Sequence, residues 1–417
     1  MHNPSTFRRT GAVALAAAVA LLSAACSRGD RSERGLVIGK VTSTSTALPA
    51  PTIVEDPSTS TTAEPSTTTG APRTPRTAGA PVSAKSTGLP DGSPYGDAIP
   101  FTSSVAVPTD LVWVLAIGSD ARPGQDIRKT NGDSIHLIGV DPQTGAGTIL
   151  GFPRDSWVQI PGKGTGKINS ALSRGGPQLM AETVRLLTGL PVHYYVLTGF
   201  EGFQKIVDEL GGVNVQVDRK MNDKMSGARF DPGWHDMNGG QALAYSRDRY
   251  DVPNGDFSRS LHQGNVMMSG LAKLRAEVGD DDGLQRWIGV LLRHADLDSP
   301  PGQLLPLAAL ARKLDPARIT NVVVPGRVGT AGSASVVFLT DEAKKLFLDL
   351  RPDAVVGGPT GDQPRPSATT TSTSAPASTT TTGPATTGTT GAEAPAGSSS
   401  SSSTTSSTQG GIIGIGK

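Results

Sequence analysis

Apolar positions recur at regular spacing between about residues 105 and 356, and outside that stretch they do not. Residues 111–118, 134–140 and 148–152 are short, largely apolar runs bounded by Gly, Pro and Asp, the pattern of buried strands. Residues 177–187 carry apolar positions near helical spacing and stop at Gly189. Residues 194–197 read as a strand, 200–210 as an amphipathic helix closed by Gly211-Gly212, and 213–217 as the strand after it. Helical stretches follow at 241–245, 261–274, 284–292 and 304–314, with late strands at 319–324 and 336–339. Thr340 stands where a last helix needs its cap, and Asp341 and Glu342 suit its first turn. Strands alternating with helices predict one α/β domain, an α-β-α sandwich-like fold with a central mixed sheet and helices on both faces.

Composition explains the silent flanks. Only 36% of the 417 residues are hydrophobic and 4% aromatic, against 51 Gly and 32 Pro, too little to build a core along the whole chain. Thr, Ser, Pro and Gly are concentrated where periodicity is absent, and such segments bury too little apolar surface to offset chain entropy. The expected organisation is an export or anchoring segment at 1–26, a Thr/Ser/Pro-rich tether at 27–104, the folded domain at 105–356 and a Thr/Ser/Gly-rich tail at 357–417. Arg8-Arg9 precede an apolar run at 11–25, about 15 residues where a spanning helix needs roughly 20. The run ends in Leu22-Ser23-Ala24-Ala25-Cys26, which resembles a bacterial lipobox and makes Cys26 the candidate lipidated N-terminus. An uncleaved signal anchor is the alternative, and either places the domain outside the cytoplasm. A twin-arginine signal fits less well, because Thr10-Gly11 follow the pair.

A net charge of +1 gives no global reason for a nucleic-acid partner. A single cysteine excludes an internal disulfide framework, a cysteine zinc cluster and a CxxC redox motif. Candidate chemistry lies beside the strand ends, where open α/β sheets bind ligands. Gly118-Ser119-Asp120-Ala121-Arg122, Asp133-Ser134 and Pro153-Arg154-Asp155 flank the first three strands. Ser246-Arg247-Asp248-Arg249, Gly255-Asp256-Phe257-Ser258-Arg259 and His262-Gln263 follow later. In extended chain Arg247 and Arg249 point the same way; on a helix they splay by about 200°. Two parallel guanidinium forks with Arg154 suit a diphosphate, and Asp120 and Asp133 then suit Mg²⁺ on the same phosphates. Singly, each piece has a plainer reading: an exposed ion-pair face for Arg247–Arg249, a turn cap for Asp120, a local salt bridge for Arg154-Asp155. Asn169 equally suits a turn, Lys163 and Lys167 solvent, and Phe200-Glu201-Gly202-Phe203 a helix start and core anchor. His136, His193 and His235 share no ligand spacing and read as structural or exposed.

In order, the pieces resemble the LytR-CpsA-Psr family of cell-envelope phosphotransferases. The resemblance is carried by Gly118-Ser119-Asp120-x-Arg122, Asp133-Ser134, Pro153-Arg154-Asp155, Lys167-Ile168-Asn169-x-Ala171 and Gly175-Gly176. It continues through Gly199–Phe203, Leu210-Gly211-Gly212-Val213, the run from Ala242 to Arg249, Gly255-Asp256-Phe257-x-Arg259 and Gln263. The motifs are strong over 112–274 and looser to 350. The resemblance implies an Mg²⁺-dependent (or Mn²⁺-dependent) enzyme of the outer membrane face. It would move a glycopolymer from a polyprenyl diphosphate, bound in a deep apolar cleft, onto peptidoglycan. On matching positions Asp120 and Asp133 would carry the metal, while Arg154, Arg247 and Arg249 with Asp120 would form the catalytic set. Arg122, Arg259, Gln263, Lys167 and Asn169 would complete the substrate-binding wall. Two positions depart from the pattern: Asn131-Gly132 separate Asp133 from the more distant Arg128, and His262 stands where arginine is frequent. A polyprenyl diphosphatase and a non-catalytic lipid-binding lipoprotein are the competing functions. A nucleotide-binding enzyme ranks last, since neither GxGxxG nor GxxxxGK[ST] occurs.

Overall fold

The computed structural model describes residues 51–53, 80–250, 252 and 254–357. Cys26, the export segment and most of the tether and tail therefore lie outside the described residues. In chain order the first elements are β1 (Lys85–Thr87), β2 (Val112–Ser119), β3 (Gly132–Val140), β4 (Gly147–Gly151), β5 (Trp157–Ile160) and β6 (Gly164–Lys167). Then come α1 (Ser170–Thr188), β7 (Tyr194–Thr198), α2 (Phe200–Glu209), β8 (Val213–Val217), β9 (Met221–Asn222), β10 (Arg229–Phe230) and β11 (Gly233–Met237). The chain continues with α3 (Gly239–Arg247), α4 (Asp256–Glu277), α5 (Asp281–His294), β12 (Asp296–Asp298) and α6 (Leu304–Lys313). It ends with β13 (Ile319–Val323), β14 (Gly326–Ala331), β15 (Ala334–Leu339) and α7 (Asp341–Leu350).

Seven strands form the central mixed sheet in the order β1-β13-β4-β3-β2-β7-β12. β13 pairs parallel with β4 and β2 parallel with β7, while β3 runs antiparallel between β4 and β2. Hence β2, β4, β7 and β13 present their carboxyl ends along one edge. All eight residues of β2 are buried, so it reads as an unbroken apolar run. Its side chains alternate between two cores. Val112, Val114 and Ala116 pack with α2 to α6, and Trp113, Leu115 and Ile117 pack with α1 and α7. That division is the expected sandwich with helices on both faces.

α4 approaches the sheet closely because two positions lack a side chain. A Cβ on Gly264 would come within 2.1 Å of Asn321 Oδ1 on β13, and one on Gly151 of β4 within 2.4 Å of Ser260 Oγ. This seating holds the first turn of α4, with Asp256 and Arg259, against the carboxyl edge of the sheet.

α1 begins at Ser170, seven residues before the expected start, because it runs across a kink at Gly175 (φ −168°) and Gly176 (φ 72°). The two glycines interrupt the apolar period, and Pro177 then restarts the regular helix. β8 has the expected span but pairs only with β11, in a two-stranded sheet outside the central one. Thr340 occupies the N-cap of α7 without a side-chain cap hydrogen bond, and Asp341 and Glu342 lie in the first turn as expected.

Candidate functional site

Arg154, just past β4, contacts Oδ2 of Asp133 at the start of β3. Its backbone N–H donates to Asp256 Oδ2 at 2.8 Å. Arg259, one turn into α4 and 5% exposed, pairs with Asp256 Oδ1 at 2.6 Å, and its Nη2 donates to the Asp133 carbonyl at 3.0 Å. Two arginines and two aspartates thus close a balanced network. Arg154 and Asp155 do not pair with each other; Asp155 pairs with Lys167 across the β5–β6 hairpin at 2.8 Å. Asp256, which the sequence showed within the Gly255–Arg259 motif but gave no role of its own, is a structural member of this site. Its signal was the i,i+3 spacing to Arg259 on a helix start.

Three further arginines, Arg122, Arg247 and Arg249, make no ion pair among the described residues. The Arg247 guanidinium lies 4.6 Å from the ring centre of Phe200, and Arg122 lies 5.5 Å from the same ring. Burial, then the nearby Arg122 charge, lowers the Arg247 pKa, and the charge of Asp133 only partly opposes them. Arg247 closes α3, and Arg249 follows an extended Asp248. The parallel pair available in extended chain is therefore not formed. Arg247 lines one cavity and Arg249 another, with Arg249 hydrogen-bonded to Tyr250 Oη at 3.1 Å. Phe200 does begin a helix, as expected, yet it also supports two site cations.

Two cavities share Asp133. The first is a narrow slot of about 30 Å³ lined by the apolar Phe200, Phe203 and Leu243 and by the polar Ser134, Arg247, Arg259 and Gln263. Gln263 is held there by donating to the Ser246 carbonyl at 3.2 Å. The second is an open basin of about 650 Å³. Its walls include Asp120, Asn131, Arg154, Trp157, Lys167, Asn169 and Arg249. Asp120 Oδ1 accepts from the Asn131 N–H at 2.9 Å, and burial followed by the charge of Asp133 raises the Asp120 pKa. Asn169 takes the N-cap position of α1 without a side-chain cap bond. Trp157 was not singled out in the sequence; a period-two run between Arg154 and Lys167 was the available signal.

Asp120 and Asp133 fit a divalent cation on two grounds. Asp133 Oδ1 is buried without a hydrogen-bond partner, and the two carboxylates lie close enough to disfavour a second charge. Among the described residues no group of three or more His, Cys, Asp or Glu surrounds a metal position. Phosphate and water would have to supply the other ligands, which suits Mg²⁺.

At the two departures from the motif series, Asn131 lines the basin, while Arg128 and His262 are engaged with other residues. Arg128 pairs with Asp296 through two contacts of 2.6 Å. His262 is buried and stacks on Tyr245 at 4.7 Å, and burial lowers its pKa to about 4. His262 therefore adds no positive charge to the site. His136 is buried as a structural residue, His193 Nδ1 accepts from the Trp113 N–H at 3.2 Å, and His235 Nε2 donates to the Asp231 carbonyl at 2.7 Å.

An α-β-α sandwich with an arginine-rich, two-cavity site at its strand ends is a definite class of protein. Residues 89–349 match the LytR_cpsA_psr family, and the chain belongs to that family. A Bacillus mycoides relative, polyisoprenyl-teichoic acid–peptidoglycan teichoic acid transferase TagU, is 37% identical over 166 residues, 40% of this chain and 53% of the relative. A Bacillus licheniformis protein of the same name is 37% identical over 159 residues, 38% of this chain and 50% of the relative. The chain thus spans about half the length of the curated relatives it matches. Among solved structures, Bacillus subtilis TagV superposes with a TM-score of 0.51 at 23% identity, covering 58% of this chain and 98% of TagV. A Streptococcus agalactiae protein gives a TM-score of 0.51 at 25% identity over 57% of this chain and 84% of its own.

Proposed function

We propose that the protein is an extracytoplasmic phosphotransferase that moves a glycopolymer from a polyprenyl diphosphate carrier onto peptidoglycan. One observation carries this reading: Arg122, Arg247 and Arg249 are surplus to a closed Arg154–Asp133–Asp256–Arg259 network, so the site holds positive charge for an anionic ligand. The names of the TagU relatives supply the matching chemistry. The work of the residues divides by cavity. Arg247, beside an apolar slot, would hold the phosphate nearer the lipid, with Phe200 and Leu243 receiving the first isoprene units. Arg154, held by Asp133 and Asp256, would face the phosphate being transferred without having to reorganise. Arg249, Lys167 and Asn169 would line the basin beyond that phosphate. Asp120 and Asp133 would hold Mg²⁺, which when bound supplies positive charge to the non-bridging phosphate oxygens.

At about 30 Å³ the slot must widen before a lipid chain enters. Parting of α2 from α3 at Phe200 and Leu243 would open it towards the larger of the two cores. No helix among the described residues is long and apolar enough to cross a membrane. In this reading the N-terminal segment with Cys26 would anchor the protein at the outer face of the membrane. Because the basin is open, water is a competing acceptor, and diphosphate hydrolysis is the second reading. The test is to supply purified full-length protein with a lipid-linked glycan and peptidoglycan strands, with and without EDTA. The expected result is glycan on peptidoglycan, lost in EDTA. Release of free glycan phosphate alone would favour the hydrolase, and unchanged transfer in EDTA would overturn the metal assignment.

A further inference from the structure

We propose that the basin is the acceptor side of the site, with Trp157 as the platform on which a sugar ring of the acceptor glycan lies. This deepens the transferase reading and rests on it. The hairpin of β5 and β6 divides its side chains cleanly. Val158, Ile160 and Gly166 face inward and are buried, whereas Trp157, Gln159, Thr165 and Lys167 share the outer face, with Trp157 opposite Lys167 in register. The core is therefore filled without the tryptophan, which stands half-buried in a basin whose other walls, Gly166 and Ala334 apart, are charged or hydrogen-bonding side chains. An aromatic face amid such groups matches a pyranose, whose ring presents an apolar C–H face and a rim of hydroxyls.

The direction of reaction points to the acceptor in preference to the donor sugar. In phosphoryl transfer the attacking and leaving oxygens lie roughly in line through phosphorus. A bond forms from the acceptor hydroxyl oxygen to phosphorus, and the phosphorus–oxygen bond to the polyprenyl phosphate breaks. The lipid monophosphate leaves with the bonding pair, and the hydroxyl proton passes to water in the open basin. If the leaving lipid occupies the slot, the attacking hydroxyl arrives from the opposite side of Asp133, which is the basin. The donor glycan, attached through another oxygen of the same phosphorus, lies off that line.

The test titrates soluble, uncrosslinked peptidoglycan strands, and separately a glycan-bearing polyprenyl diphosphate, into full-length wild type, Trp157→Ala and Trp157→Phe. Matching thermal midpoints verify folding. Trp157→Ala should weaken strand affinity about ten-fold or more, the scale of a lost aromatic contact in a binding site. Trp157→Phe should retain most of it, and donor affinity should not change. In turnover the acceptor KM should rise with the donor KM constant. Unchanged strand affinity in Trp157→Ala, or no strand binding by wild type, overturns the proposal. An equal loss of donor affinity also overturns it, by assigning the ring to the donor sugar. Strand binding that depends on Trp157 in a protein unable to transfer would uphold the saccharide platform and refute the transferase reading.

Discussion

The slot and the basin share a carboxylate and almost nothing else. The slot is tight, backed by phenylalanine and leucine; of its two cations Arg259 is paired with Asp256, while Arg247 makes no ion pair among the described residues. The basin is open and polar; its cations Arg154 and Lys167 are already paired, with Asp133 and Asp155, while Arg249 makes no ion pair among the described residues. A paired arginine is part of the fold's own charge balance; an unpaired one stores unfavourable electrostatic energy that only a ligand relieves. Position in the ion network, more than residue type, therefore separates cations left without a protein counter-charge from those already balanced within the site.

Removing one arginine from each region gives the largest contrast. Arg247→Ala and Arg154→Ala should each lower transfer roughly 10²–10³-fold, the scale for losing a preorganised donor to a charged transition state. Their stabilities should diverge. Arg247→Ala relieves like-charge repulsion, so its unfolding midpoint should hold or rise. Arg154→Ala leaves Asp133 and Asp256 short of a counter-charge, at a cost of about 1–2 kcal/mol. Denaturant unfolding of both variants measures this, and equal destabilisation would erase the distinction between the regions.

A smaller effect sharpens the slot side. His136 Nε2 donates to the Ser260 carbonyl at 3.0 Å, so Nδ1 is free to accept from the slot residue Ser134 at 3.3 Å. Burial lowers the His136 pKa to about 4 from the usual 6.5. The unfolded chain then binds a proton that the folded one refuses. Stability from this residue is complete above about pH 6.5 and falls as pH drops towards 4, by up to about 1.4 kcal/mol per unit. His136→Gln should flatten that slope between pH 6.5 and 4.5, where buried His262 contributes a similar share. Identical slopes in wild type and variant would show that His136 does not titrate this way.

The strands, most helices and the sandwich were legible because apolar runs and helical spacing report burial directly. The kink in α1 was not, since Gly175 and Gly176 erase the period they interrupt. The short hairpins were missed because half their positions face solvent and carry little apolar signal. At the site, Asp120, Asp133, Arg154 and Arg247 could be named from their place after strands or in motifs. Pairing could not: Asp256 reaches Arg154 across 102 residues, and only the folded chain decides whether Arg154 meets Asp155 or Asp133. The divergence of Arg247 and Arg249 likewise depends on a helix ending at Arg247.

The central claim is that the unpaired charge around Arg247 awaits a lipid diphosphate. Thermal unfolding of wild type and Arg247→Ala in the presence of a soluble short-chain prenyl diphosphate tests it most directly. Wild type should rise in midpoint with ligand concentration, since a ligand that binds only the folded state stabilises it by mass action. Arg247→Ala should rise far less at the same concentrations, despite an equal or higher midpoint without ligand. A wild type that does not respond, or a variant that responds equally, would contradict the account.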